Sequence, residues 1–388
     1  MCSDVAIIGG GIMGSALAYW LTRLDRSLSV VVIERDPTYA TASSALSAAS
    51  IRQQFTTPVN IHLSQASLRF LREAGEHLEV DGDRPDVGLH EGGYLYLAGA
   101  FGAPTLIQAH AIQRAHGADV SLLEPGALAA RFPWLQVSDI ALGSLGLSGE
   151  GWFDGHTLLT ALARKAKHQG ATYLRGEVRG IARDEGRVTA LVLGDGRRLD
   201  CGVAVNAAGP WARSVAALAG IDLPVHARRR TVFVFACGER LGGVPLLIDP
   251  SGFWIRPEGD RYIGGLEPRD LTDAEPLEPD LESFETDFWP ALAARIPAFE
   301  AVKLERAWAG YYEMNDFDHN AIVGPHPSVA NLHFINGFSG HGMQHAVSAG
   351  QGLAERILGV GAPTIDLSAL AFDRVLANRP LVELNVIG

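Results

Sequence analysis

Three glycines and one carboxylate near the start of the chain have the types and spacing of a nucleotide-holding motif. Gly9, Gly11 and Gly14 lie in IIGGGIMG, and Glu34 follows twenty residues after Gly14. The first glycine allows a tight turn out of a strand, and the second lets backbone approach a diphosphate with no side chain between. The third lets the next helix pack closely on the strands. Free N–H groups at that helix start, backed by the helix dipole, suit a diphosphate. A carboxylate ending the following strand can accept hydrogen bonds from ribose hydroxyls. The chemistry is that of holding a dinucleotide, and the motif alone does not say which.

These residues need a strand, a helix and a second strand to position them, and all three are written nearby. Val5 to Ile8 is an apolar run suited to a strand buried on both faces. A helical pattern (Ala16, Leu17, Tyr19, Trp20, Leu21, Leu24) follows the glycines, with Ile12 and Met13 in the turn itself, and Val30 to Ile33 leads into Glu34. Residues 38–55 read as an extended loop, in which Ser43 and Ser44 can bond phosphates and the alanines permit close approach of a flat ligand. An ordinary Ser/Ala loop is the competing reading. Two further strand–turn–helix stretches repeat the style. One ends VAVNAAGPW before a helix over 212–219, and the other is a strand from Leu332 to Asn336 running through GFSGHGM into a helix over 344–358. The second points N–H groups and a positive helix end at something negative or electron-rich.

Composition sets the outer limits. A chain of 388 residues suggests about two domains. With 47% hydrophobic and 20% charged residues it reads as an ordinary soluble globular protein, and its charge of −12 argues against nucleic acid or an anionic membrane as partner. The three cysteines form no CxxC and no His/Cys cluster at metal spacing, so no disulfide framework and no metal site is expected. The apolar run from Val5 to Leu21 lacks a basic leader and contains a triple glycine, which predicts neither a signal peptide nor a membrane span. The expected location is cytoplasmic.

Along the rest of the chain, an amphipathic helix is predicted over 58–78, a strand over 90–98 and a helix over 105–116. Asp154 caps a helix running to Gln169, and strands follow at 172–175, 177–183, 187–193 and 198–205. Residues 225–304 turn β-rich and aromatic, with strands at 231–236, 252–256 and 261–264 and a helix over 280–295. A strand is expected over 305–310.

Taken together, IIGGGIMGSALAYWL with Glu34, TASSALSAASIRQQF, VAVNAAGPWA, and RAWAGYYEMNDFDHNAIVGP with FINGFSGHGMQ resemble the FAD-dependent amine oxidoreductases of the D-amino-acid oxidase, glycine oxidase and sarcosine oxidase family. The resemblance implies an α/β fold. A Rossmann-like FAD-binding domain (1–85, 149–224 and 305–388) is interleaved with an α+β substrate-binding domain built on a sheet (86–148 and 225–304). It places Gly9, Gly11, Gly14 and Glu34 on the ADP part, and Arg35, Ser43 and Ser44 along the adenosine and diphosphate. Val178 would contact adenine, Ala207, Gly209 and Trp211 would line the cofactor, and Gly340, His341, Gly342, Met343 and Gln344 would sit at the flavin's N1–C2=O edge.

Departures from the family pattern carry expectations of their own. The position of the flavin-attaching cysteine is Gly310, so FAD is expected to be non-covalent. The carboxylate-binding arginine's slot holds Tyr312, a lysine's place after the glycine turn holds Gln344, and the oxygen-activating lysine's place corresponds to Arg256. Electrons are therefore expected to pass to oxygen slowly, or to a quinone or protein acceptor.

The activity implied is oxidation of the C–N bond of a small amino or N-substituted amino acid to an imine, which then hydrolyses. Such a substrate needs a carboxylate clamp, most naturally a bidentate arginine. Arg52, Arg230 and Arg256 are the candidates, with Tyr312 as a hydrogen-bond donor and His341 as a cofactor contact or proton-tuning group. The alternatives are a 2-hydroxy acid dehydrogenase, which needs a base for the hydroxyl proton, and an FAD-binding subunit of a multisubunit amine dehydrogenase. A homo-oligomer or partner subunit is consistent with any of these.

Overall fold

The structure is a computed structural model that describes residues 2–268 and 277–384. Two eight-stranded sheets account for most of it. In the first, Cys2–Ile8 is central. It pairs in parallel with Val30–Glu34 on one side and Arg198–Asn206 on the other. Thr172–Arg175 and Val329–Asn336 extend the parallel set outward. A hairpin, Val178–Asp184 with Arg187–Leu193, joins antiparallel to Arg198–Asn206, and Ile322–His326 closes the far edge. All-parallel strands need cover on both faces. Here the helices Ile12–Leu24, Gly155–His168 and Gly342–Ile357 cover one face, and the hairpin with helix Ala212–Ala217 and Phe372 covers the other.

The second sheet runs in the order Val302–Asn315, Val225–Cys237, Arg261–Leu266, Phe253–Glu258, Leu246–Ile248, Tyr94–Ala98, Leu142–Gly146, Val120–Leu123. Its core is aromatic. Phe233, Phe235, Phe253, Phe288 and Phe299 are fully buried, and Phe288 meets Phe233, Phe235 and Phe253 with ring centroids 5.1–6.1 Å apart.

The parallel sheet follows the sequence expectation closely, since its central segments Val5 to Ile8, Val30 to Ile33 and Val203 to Val205 are apolar throughout. The second sheet departs from it in three ways. Leu142–Gly146 and Leu246–Ile248 are short strands whose pairing comes from Tyr94–Ala98 between them, and Val120–Leu123 is held by Leu142–Gly146; none carries a local signal of its own. The helix expected over 280–295 is a π-helical turn, Phe284–Phe288, followed by the α-helix Trp289–Arg295. The strand expected over 305–310 runs from Val302 to Asn315 and pairs along its length with Val225–Cys237. Residues 305–315, assigned from sequence to the first domain, thus belong by hydrogen bonding to the second sheet. They carry Gly310, Tyr312 and Glu313 from it towards the first. Asp154 caps its helix as expected, accepting from the Thr157 N–H at 2.9 Å. No helix among the described residues is long and apolar enough to cross a membrane.

Candidate active site

The glycine turn at the end of Cys2–Ile8 is a cradle in which each glycine has its own task. Gly9 has φ +101°, a conformation that excludes most side chains. A Cβ on Gly14 would collide with the Gly9 carbonyl oxygen, so only glycine lets the helix start this close to the strand. A Cβ on Gly11 would meet only the Ser44 Oγ, at 3.2 Å, and otherwise points into open space. The helix Ile12–Leu24 has no cap from its own first turn, and the Ile12 N–H donates instead to Ser44 Oγ at 3.0 Å. Glu34 is braced at the end of its strand, with Oε2 accepting from the Gly10 N–H at 2.7 Å and Oε1 from the Asp36 N–H at 2.8 Å.

From this cradle a cavity of about 460 Å³ extends along the carboxyl ends of the parallel strands to the wall of the second sheet. Of the residues expected to hold a cofactor, all but Gly14 and His341 line it. Gly14 acts from behind, through packing. At one wall the Arg35 guanidinium lies 3.7 Å above the Trp211 ring, joining two loops of the first sheet. Ser43 Oγ is buried without a hydrogen-bond partner. At the far end Gly340 has φ +92° and packs under the Tyr312 ring, and helix Gly342–Ile357 begins with no side-chain cap. A bare glycine cradle, two helix starts facing one cavity and an unpartnered hydroxyl are the donor set an elongated dinucleotide needs, and the residues present fit FAD.

The structure separates the three candidate arginines. Arg256 is buried but committed. It donates to the Pro257 and Ala48 carbonyls at 2.9 Å and pairs with Glu258, and it is not part of the cavity lining. Arg52 lines the cavity from the loop that follows the serines. Its backbone N–H donates to Gln344 Oε1 at 2.8 Å, its guanidinium bonds the Tyr96 hydroxyl, and it lies 4.2 Å from the Phe55 ring centroid. Burial works against its charge, but Tyr96, Tyr94, Glu383 and Glu150 more than compensate and hold its pKa above the ordinary value. Arg230, on Val225–Cys237, also lines the cavity and is 6% exposed. Its Nη1 donates to the neighbouring Arg229 carbonyl at 3.2 Å, Glu267 is 3.8 Å from Nη2, and Nε and Nη2 have no hydrogen-bond partner. Its guanidinium lies 5.1 Å from the Tyr312 ring centroid.

His341 differs from expectation. Glycines flank it as cofactor contacts are often flanked, yet its ring turns into the protein, against Phe55 at 5.4 Å and His345 at 5.1 Å. Burial, reinforced by His345, Arg52 and His319, pushes its pKa well below the usual value and keeps it neutral. The positive φ of Ser339 and Gly340 and the start of the helix at Gly342 set that direction, which the residue types do not encode.

Residues that the sequence reading passed over also line the cavity. Tyr94, Val232, Leu246, Trp254 and Leu266 form an apolar, aromatic wall on the second sheet. Glu313 lies beside Tyr312, and burial pushes its carboxyl up to about 7 while the backbone N–H groups of Gly337 and Phe338 pull it back. One signal for Glu313 was present, an acid in the YYEMN stretch of a strand with apolar neighbours.

This geometry agrees with comparisons to known proteins. FAD-dependent oxidoreductase domain-containing protein 1 of Xenopus laevis is 42% identical, and the match covers 99% of this chain and 85% of that protein. Mitochondrial dimethylglycine dehydrogenase of Homo sapiens is 28% identical over 95% of this chain, which spans 44% of that longer protein. The crystal structure of L-proline dehydrogenase from P. horikoshii superposes with a TM-score of 0.86 at 25% identity, covering 97% of this chain and 99% of that one. The model of the FAD dependent oxidoreductase family matches residues 4–356, and the chain belongs to that family.

Proposed function

We propose that the protein oxidises the C–N bond of a small amino or N-substituted amino acid to an imine, which water then hydrolyses. The observation that carries this reading is Arg230, a buried guanidinium on the cavity wall with Nε and Nη2 free of hydrogen bonds. Buried donors on a cation that lack hydrogen-bonding partners are costly. A substrate carboxylate would satisfy it with two parallel charge-assisted bonds. Bound FAD supplies the acceptor for the hydride that leaves the substrate carbon. The chain's own contribution is orientation and exclusion of water. Arg230 clamps the carboxylate, Tyr312 lies beside it as a further donor, and Tyr94, Trp254, Val232 and Leu266 shield the reacting carbon. Two of the similar proteins are named as dehydrogenases of dimethylglycine and of L-proline, which supports a secondary or tertiary amine.

The cofactor is held without a covalent bond. Among the described residues neither cysteine nor histidine lines the cavity, so no such sulfur or ring nitrogen is at hand to attach the flavin, and Gly310 packs against Leu46. No lysine among the described residues lines it either, which supports slow reaction with oxygen and a preference for a quinone or protein acceptor. The 2-hydroxy acid alternative needs a base, and His341 faces away from the cavity.

Anaerobic bleaching of the flavin band tests the reading, using sarcosine, dimethylglycine, proline, D- and L-amino acids and 2-hydroxy acids. Bleaching by amines and not by hydroxy acids, with slow recovery in air, is the expected result; bleaching by hydroxy acids alone would overturn it. Acid precipitation should leave the yellow colour in the supernatant.

A further inference from the structure

Glu313 sits between two of the glycine turns that form the cavity. Its Oε1 accepts from the Phe338 N–H at 3.4 Å, and a Cβ on Gly342 would lie 3.5 Å from that oxygen. On the other side, a Cβ on Gly209 would lie 3.9 Å from Oε2. Oε2 is buried and has no hydrogen-bond partner, although the residue lines the cavity. Among the described residues no cation is positioned to balance a charge there. On its own strand Tyr312 turns to Arg230, and Asp316 at the strand's end is engaged by His226 and Arg228 of the paired strand. From the glycine turn, the His341 ring is directed to Phe55 and His345. From the first helix the Met13 methyl approaches the same Gly342, 3.2 Å from where its Cβ would lie.

We propose that Glu313 is a cofactor-contacting residue that grips the bound dinucleotide as a protonated carboxylic acid, so that binding of FAD takes up a proton. Oε1 keeps the Phe338 N–H, and the acid's O–H donates to an oxygen of the ligand. The reason is electrostatic. An ionised carboxylate would share a poorly hydrated cavity with a diphosphate, and like charges at close range raise the pKa of the group that can escape by holding its proton. A neutral acid has no such penalty, and its O–H adds a donor to the backbone N–H groups of the glycine turns.

Burial of the carboxyl places its titration at about 7 before the ligand binds. An anionic ligand moves it higher. Below that pH the acid already holds its proton and affinity is unaffected. Above it each further pH unit weakens binding about tenfold, until the bound-state titration is reached.

The experiment is titration of flavin-stripped protein with FAD between pH 6 and 9, read by quenching of flavin fluorescence. Wild-type affinity should fall about tenfold per pH unit above 7. Glu313→Gln should keep the pH 6 affinity across the whole range. The same pH dependence in Glu313→Gln, or a flat wild-type profile, would overturn the proposal. Calorimetry of wild-type protein at pH 8 in buffers of different ionisation enthalpy gives an independent reading if the variant does not fold. Uptake of close to one proton supports the assignment and zero uptake overturns it. The outcome does not depend on which substrate is oxidised, because no substrate is present.

Discussion

At the scale of single residues, the arginines show how partners decide role. Arg256 and Arg230 are both buried, both on strands of the second sheet, and were equivalent as residue types. Arg256 spends both terminal nitrogens on Glu258 and two backbone carbonyls and leaves only Nε unpaired, outside the cavity lining, whereas Arg230 has Nε and Nη2 unpaired on the cavity wall. Lysine cannot reproduce the bidentate fork. Arg230→Lys should therefore raise the KM of an amino acid substrate by roughly 30- to 150-fold, equivalent to about 2–3 kcal/mol for a charge-assisted bond. Arg256→Lys should change KM less than about threefold, since Arg256 does not line the cavity and its terminal nitrogens are held by protein groups. Steady-state kinetics of the two variants with a dye acceptor checks both.

At the scale of the element, the turn between Cys2–Ile8 and Ile12–Leu24 separates folding from binding. In Gly14→Ala the added methyl meets the Gly9 carbonyl oxygen, a backbone atom that cannot move without dragging the strand end with it. A loss of about 3 kcal/mol, at the upper end for overpacking, is expected, seen as a large drop in melting temperature. In Gly11→Ala the methyl meets only the Ser44 hydroxyl and occupies ligand space instead. That variant should melt close to wild type when stripped of flavin and bind FAD at least tenfold more weakly. Ser44→Ala removes the acceptor for the Ile12 N–H and should cost about 1 kcal/mol, as loss of a helix cap does. The cap comes from a loop more than thirty positions away in sequence, so helix start and loop are stabilised together.

For the molecule as a whole, buried titratable groups set a pH dependence whose sign follows from linkage. His345 and His333 are pushed down to about 3 and about 4 by burial first, and His341 lies well below its ordinary value. Each is neutral in the folded state, while the unfolded chain binds protons below about 6.5, so stability is lost as pH falls through that value. Glu150 and Glu313 act oppositely. Burial raises both to about 7 from 4.5, and the stability they contribute at low pH is lost between 4.5 and 7. His326, lowered by burial as well, adds to these three, so the histidines outweigh the two carboxyls and unfolding takes up protons between pH 4.5 and 6.5. The melting temperature should fall gently over that interval and more steeply below it, where the carboxyls no longer oppose. His345→Gln, which keeps a polar partner for Ser64 Oγ at the site of a 2.9 Å bond, should flatten the upper part of the profile. An unchanged slope in that variant would show that the histidine is not the group being protonated.

What the sequence determined by itself is the nucleotide cradle and the sheet that carries it. The glycines, Glu34 and the apolar strands act through neighbours a few residues away or through a parallel sheet buried on both faces, and such constraints are written locally. The loop serines, Ala207, Gly209 and Trp211, and the second glycine turn were legible for the same reason, and they line one cavity. Tertiary structure decided the remainder. It placed 302–315 in the second sheet through pairing with a strand about eighty positions earlier, and it built the short strands at 120–123, 142–146 and 246–248 from partners rather than from propensity. It also turned His341 inward, committed Arg256 to Glu258, and left Arg230 and Glu313 with unpartnered atoms. Which way a side chain faces, and which of its donors remain free, depends on groups distant in sequence that only folding brings within hydrogen-bond reach.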